Sequence, residues 1–547
     1  MRVPFGLFFL SVTALLLTRY HGAIAQQQCA TRLTFSPVSQ PNQIEWSKFP
    51  DFTFPFPVIY GGPRFNDNQA SPLRHGFSHL VSIQPNEGGM VQARQQAVVY
   101  YGFATGLNQP WETLESPWEN DMNAYYAKWD GFLAGLSNGQ KNASGKYILS
   151  IGRLALDIER IQETDTRILR LKQDGRIPVI YRNLADADFV AMYKKDMRNL
   201  YAEGLRYIRQ HADLTGVTVS SYADTPVLNT YLNVPTFSWA DWTTKLNLTN
   251  YLVQDVNGTG IGGPYYEQLD ALSPSAYYFY DYPNPLAQDY LPYLLFQVEV
   301  NRAWSNKPVV PWIWMRYHDS SSSGLQFIQP FMAEATAIFP FFSGAAGLWL
   351  WENPTLGTDR NDVYAAYEHF THGLFRLSQF ADMFQGNYEL VIETSARDLM
   401  DKQLPVWRGV ANGNSILIAA QNSYAADGQK TSLTVNYKTW QQTIELTGRE
   451  VYLCRFDMGN VTATEPALPN VTASPNPAQN ILSLTFDQLP PASTTIDLLN
   501  TQGQSVVRKA ATSKIETLDV ASLAAGLYVL RIQNENRIQT KKIVISH

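Results

Sequence analysis

Two cysteines and eight histidines in 547 residues leave little material for a metal centre or a disulfide-built scaffold. The histidines show no ligand spacing, so neither metal nor cofactor is expected. Positive charge is also short. Lys and Arg total 42 against 48 Asp and Glu, a net charge of −6, which supplies no field for a nucleic-acid backbone. No run of about 20 apolar residues follows the N-terminus, so no transmembrane segment is expected in the mature chain. No short repeat is found. Charged residues make up 16% and hydrophobic ones 45%, which is globular rather than disordered composition. Aromatic residues are abundant at 13%, with 13 Trp and 30 Tyr. Most belong in a core, but sugar rings also pack on such faces.

The chain opens with Arg2, an apolar run from Phe5 to Leu17, and Ala23-Ile24-Ala25. That is the order of a signal peptide cleaved after Ala25 (residues 1–25). In an exported chain Cys29 and Cys454 either pair, pinning the N-terminus to a C-terminal module, or stay as two buried thiols.

Eight short apolar runs lie between residues 50 and 355: Phe54–Tyr60, Leu80–Ile83, Ala97–Phe103, Ile148–Ile158, Val217–Tyr222, Ala276–Tyr280, Val309–Trp314 and Gly347–Trp351. Helical spacing separates several of them, over Asp186–Ala212, Leu286–Trp304 and Phe327–Phe342. Eight alternating units in about 300 residues predict an α/β fold, a (β/α)8 TIM barrel over residues 26–370. A doubly wound open sheet is the alternative, and Gly106–Lys146 reads as a helix or a long loop. Residues 371–458 predict an antiparallel β-sandwich with runs at Glu389–Glu393, Pro405–Val410, Ser415–Gln421, Thr431–Tyr437 and Glu450–Phe456. A polar linker, 459–473, precedes a small β-sandwich over 474–547.

In a barrel, reactive groups sit where strands end at their C-termini. The fourth run ends Asp157-Ile158-Glu159. Strand alternation puts both carboxylates on one face, where crowding raises one pKa and makes it an acid near neutrality. A helix-capping or arginine-paired role, with Arg153 or Arg160, is the plainer reading. The sixth run carries Tyr278, Tyr280 and Asp281, readable also as a buried aromatic strand with Asp281 as a helix cap. The seventh ends at Arg316, either an anion contact or an ion-pair partner. The eighth holds Trp349, Trp351 and Glu352; one Trp can fill the barrel while the other floors a sugar. Glu87 is a spare carboxylate in a turn.

The segment Ser474–His547 resembles the C-terminal sorting domain of the type IX secretion system. The resemblance rests on Ser474-Pro475-Asn476-Pro477, the turn Asn500-Thr501-Gln502-Gly503, the hairpin Leu523 to Ile532 and the Lys541-Lys542 tail. It implies export through that machinery, processing by its sortase, and surface display or release.

Asp157-x-Glu159 on a fourth strand, Tyr280-Asp281 on a sixth and Trp351 on an eighth resemble the barrels of glycoside hydrolase families 18 and 56, the chitinases and hyaluronidases. Gly152 and Ala155 replace two acidic positions of the family 18 motif, so only Asp157 and Glu159 carry over. The resemblance implies a secreted, monomeric retaining glycosidase acting on an N-acetylhexosamine polysaccharide. In it Glu159 is acid/base, Asp157 orients the substrate's acetamido nucleophile, and Tyr280 is its partner. Asp281, Trp351, Trp349, Tyr278 and Arg316 contact the sugar. Two rivals stand: a conventional two-carboxylate glycosidase using Glu352 or Asp281, and a non-catalytic carbohydrate-binding surface protein.

Overall fold

The computed structural model describes residues 27–547, apart from 66–70, 82–91, 102–115, 159–163, 176, 229–232, 460–468, 492–493 and 535–536. The expected signal peptide, Glu87, Glu159 and Arg160, and most of the expected linker lie outside the described residues. The chain forms two compact units, residues 1–460 and 461–547.

The first unit is built on eight parallel strands. In chain order they are β1 (Val58–Tyr60), β2 (His79–Val81), β3 (Gln96–Tyr101), β4 (Arg153–Asp157), β5 (Thr218–Tyr222), β6 (Ala271–Ser273), β7 (Trp312–Trp314) and β8 (Leu348–Trp351). Each pairs with the next, β8 pairs with β1, and parallel bridges Leu272–Val309 and Ser275–Trp312 join β6 to β7. The sheet is therefore closed. This is a TIM barrel, and the open-sheet alternative falls.

Alternation along each strand splits the side chains into two cores. Ile59, Ala97, Val99, Ala155, Tyr222, Ala271, Trp312, Trp314 and Trp349 meet inside the barrel. Leu154, Leu156, Val219 and Leu272 point outward to the helices. Small residues on β3, β4 and β6 face large indoles on β7 and β8, which is how an eight-stranded interior is filled without voids.

Five helices make most of the outer layer: α1 (Met122–Ser137), α2 (Asp186–His211), α3 (Tyr290–Trp304), α4 (Pro330–Phe342) and α5 (Ala365–Ser378). α1 resolves the helix-or-loop ambiguity between Gly106 and Lys146 over its own residues. The Asp121 side chain accepts from the Ala124 N–H to start α1, and left-handed Asn138 ends it. α2 carries Asp186 and Asp188 in its first turn and Arg209 and His211 in its last, each favourable to the helix dipole. It buries Phe189, Tyr193, Met197, Leu200 and Leu205 on one stripe. α4 and α5 cross closely because Gly373 has no side chain; a Cβ there would stand 2.7 Å from that of Ala337.

A five-stranded antiparallel sheet follows in the same unit. Its order is Gln27–Cys29, Tyr452–Asp457, Ser415–Gln421, Val406–Asn412 and Glu389–Val391. One face, with Val406, Val410, Leu417 and Leu453, shares a core with α3, α4 and α5. The other packs on the hairpin Lys430–Tyr437/Trp440–Thr447 through Ile416, Ile418, Val435 and Ile444. Helix Ala396–Lys402 and strand Trp440–Thr447 were not legible as elements. Cys29 and Cys454 face each other across an antiparallel pair and are disulfide-bonded. The two-thiol alternative is thereby excluded.

The second unit has a three-stranded sheet (Val471–Ser474, Ile481–Phe486, Ile515–Asp519) and a four-stranded one (Thr495–Leu499, Ser505–Ala510, Gly526–Asn534, Arg537–Ile545). They enclose Leu482, Leu484, Ile496, Leu498, Leu530 and Ile543.

Candidate active site at the C-terminal mouth of the barrel

β4 delivers Asp157 to its last position, on the inner side set by Ala155, and leaves it 3% exposed. The register places Tyr101, the last residue of β3, directly beside it. Trp351 closes β8 on the same inner side as Trp349. Its indole Nε1–H donates to the Tyr101 hydroxyl at 3.1 Å, across the mouth. Tyr277 stacks on Trp351 with centroids 5.6 Å apart and on Tyr222 at 5.8 Å. Trp314 meets Trp351 edge-on at 4.7 Å. Asp157 thus shares the barrel's upper interior with rings from β3, β5, β7, β8 and the segment after β6. Burial pushes the Tyr101 hydroxyl up to about 12, with the nearby Asp157 charge adding to the shift, so it is protonated at neutral pH.

Tyr101 and Tyr277 are not among the residues expected from the sequence. The signal for Tyr101 was present: Ala97, Val99 and Tyr101 alternate in phase with Ala155 and Asp157. Tyr277 was hidden by a frame error. The sixth strand is Ala271–Ser273, not Ala276–Tyr280; Pro274 has no N–H to continue the ladder, and the chain runs on through single bridges at Ser275 and Tyr278. Inner positions are therefore 271, 275 and 277.

Tyr278 faces the other way. It is 1% exposed and shares a hydrogen bond with the Thr336 hydroxyl of α4 at 2.7 Å, so it is a core residue rather than a sugar contact. Tyr280 is half-buried beyond the last bridge. Asp281 accepts hydrogen bonds through Oδ1 from the Tyr317 hydroxyl at 2.7 Å and Gln329 at 3.0 Å. It does not cap the following helix; Asn284 does.

Arg316 corrects another expectation. It is 0% exposed, and its guanidinium is shared between Glu352 at 3.0 Å and Asp362 at 2.9 Å, over the Phe327 ring. A sealed guanidinium cannot steer an anion. Glu352 in turn accepts from Trp314 Nε1 at 2.9 Å and the Tyr367 hydroxyl at 3.0 Å. Its lone pairs are committed, which argues against it as a nucleophile. Trp349 is 2% exposed and stacks on Trp312 at 4.9 Å; of the two tryptophans, it is the one that fills the barrel.

Two cavities of about 840 and 660 Å3 lie between outer elements, and neither is lined by Asp157 or the aromatic ring. Among the described residues no group of three or more His, Cys, Asp or Glu gathers as metal ligands, and no helix is long and apolar enough to cross a membrane.

Residues 473–546 match the model of the Secretion system C-terminal sorting domain. This segment is a type IX sorting domain. It directs the chain to export, and to secretion or attachment at the cell surface. No curated protein sequence matches the chain. Among solved structures, bee venom hyaluronidase is similar at 13% identity and a TM-score of 0.37, covering 60% of this chain and 99% of that one. A GH18 chitinase from Pseudoalteromonas aurantia is similar at 13% identity and a TM-score of 0.29, covering 59% and 99%. The surface component PorZ of the Porphyromonas gingivalis type IX secretion system is similar at 12% identity and a TM-score of 0.14, covering 26% and 21%. Several of the similar structures are glycoside hydrolases, and overlap of this extent assigns no activity.

Proposed function

We propose that the exported protein is a retaining glycoside hydrolase acting on an N-acetylhexosamine polysaccharide by substrate assistance. The observation that carries the reading is Asp157, a carboxylate at the inner end of β4, set among aromatic rings at the face where barrels hold their chemistry. Glu159 follows it at strand spacing in the sequence. In this reading Glu159 protonates the glycosidic oxygen and later activates water. Asp157 orients the acetamido group and stabilises the positive charge of the cyclic intermediate, with Tyr280 as its hydrogen-bond partner, while Trp351 floors the sugar and Asp281 contacts it.

The conventional two-carboxylate scheme loses Glu352, which is locked to Arg316, and keeps Asp281 as its candidate nucleophile. The decisive test is hydrolysis of N-acetylhexosamine polymers by purified wild-type and Glu159→Gln protein. Loss of product release with an unchanged melting temperature supports the proposal. Equal release by both proteins overturns it. Inhibition by a thiazoline analogue separates substrate assistance from a carboxylate nucleophile.

A further inference from the structure

We propose that the cavity of about 660 Å3 beside the C-terminal end of α3 is a second binding site, taking a neutral saccharide. The proposal goes beyond the glycosidase reading and does not rest on it.

The cavity forms where the five-stranded antiparallel sheet joins the barrel. Arg302 and Ala303, in the last turn of α3, give one wall and Trp239 a second. Residues 392–395, with Asp398 and Lys402, give the third. Every lining residue is among those the structure describes. α3 leads into β7, and the Arg302 guanidinium donates to the Ser343 carbonyl at 2.8 Å, shortly before β8 begins. The site therefore lies at the end of the barrel where strands start, away from Asp157 and Trp351, which close β4 and β8 at the other end. Its volume falls within the roughly 300–1,000 Å3 of small-molecule sites.

The lining groups are largely uncommitted. Trp239 begins the short helix Trp239–Thr244, which a reciprocal Ser238–Asp241 cap holds in place. Three residues on, Trp242 is sealed in the core, whereas Trp239 stays half-buried and meets Phe296 edge-on at 6.4 Å. Among the described residues nothing accepts the Trp239 Nε1–H, no carboxylate pairs with Arg302 or Lys402, and no cation pairs with Asp398. Glu393 accepts from Trp407 Nε1 at 3.1 Å and from Asn436 at 3.4 Å, which leaves lone pairs to spare. Glu299 differs. Its charge is met by Arg408 at 2.7 Å, and its second oxygen takes the Ala396 N–H at 2.8 Å.

These groups specify the ligand. Arg302 and Lys402 balance Glu393 and Asp398, so the cavity holds no excess of either sign for an ionic ligand. It sets donors and acceptors side by side next to an indole. A hydroxyl both donates and accepts, and a pyranose carries several around a ring whose apolar face lies on an aromatic side chain. A wholly apolar ligand would strip water from four charged groups and return no hydrogen bond, which is costly. A sugar unit held here leaves the barrel mouth unobstructed.

The test is hydrogen–deuterium exchange of the full mature chain carrying Glu159→Gln, alone and with chitohexaose, cellohexaose or a hyaluronan hexasaccharide at millimolar concentration. Exchange is read segment by segment, which separates this site from the mouth. One of the two neutral hexasaccharides should slow exchange in 236–244 and 392–402 by roughly threefold or more, and the hyaluronan fragment should not. Trp239→Ala should abolish that protection. Asp398→Asn removes a charge that no ion pair uses and keeps the Ser395 cap of its helix, so melting should be unchanged. It should weaken the affinity behind the protection about tenfold, the effect of losing one charged hydrogen-bond partner. Exchange in both segments unchanged by every sugar, slowed equally by the hyaluronan fragment, or slowed with undiminished affinity in the Asp398→Asn protein overturns the proposal. The glycosidase reading fails separately, through undiminished hydrolysis by the Glu159→Gln chain.

Discussion

Two carboxylates end strands of the same barrel and have opposite surroundings. Glu352, just past β8, is closed in by Arg316, Trp314 and Tyr367, with Asp362 on the far side of the guanidinium. Asp157, at the end of β4, stands among aromatic rings beside a protonated tyrosine. A carboxylate held by a buried cation is fixed in charge and position and serves as structure. The contrast teaches that an acidic strand end is interpretable only with its cations in view, and four perturbations test it.

The largest effect is expected at the sealed corner. Arg316→Met strands Glu352 without its cation, while Asp362 keeps Arg360, and breaking a buried pair by removing one partner costs about 3–5 kcal/mol. Thermal melting should show a marked loss of stability; a melting temperature within a degree of wild type would make the corner a surface feature. Next, at the β4 corner, Glu159→Gln should lower kcat by about a thousandfold, within the usual range for a general acid, and leave melting untouched. Smaller again, Trp351→Ala should raise KM roughly tenfold, about 1.4 kcal/mol, by removing the sugar floor. An unchanged KM would shift the floor to Tyr277 or Trp314.

The fourth effect, comparable in size to the third, concerns acid and lies at a separate buried pair, His372 beside Glu334. His372 shares α5 with Tyr367, and its Nε2 accepts the Leu33 N–H at 3.0 Å. Burial lowers its pKa to about 4, below the unfolded value near 6.5. Its contribution is thus present above about pH 6.5 and is lost as pH falls toward 4. Between pH 7 and pH 5 that amounts to at most about 2 kcal/mol. Melting followed over this range should fall for wild type and flatten for His372→Gln; parallel curves would show that the ring is not the sensor.

Much of this architecture was legible in residue order, for reasons that differ by element. β4 announced its inner and outer faces because Leu154 and Leu156 alternate with Ala155 and Asp157. The sorting domain could be read because its turns and hairpin are local. β6 misled because Tyr277, Tyr278, Phe279 and Tyr280 are all aromatic, so no alternation marks the frame, and Pro274 moved the paired segment upstream. Arg316 and Glu352 lie 36 residues apart in sequence, and only the pairing of β7 with β8 brings them together. Strand Trp440–Thr447 was missed because it is an exposed hairpin arm rich in Gln and Thr, with little apolar signal.

In the proposed glycosidase the β4 corner, not the β8 corner, carries the chemistry. Kinetics and melting of Glu159→Gln and Glu352→Gln, measured side by side on one N-acetylhexosamine polymer, test it most directly. Glu159→Gln should lose turnover at full stability, while Glu352→Gln should lose stability and keep turnover when assayed below its melting temperature. A stable, inactive Glu352→Gln protein beside an active Glu159→Gln protein would contradict it.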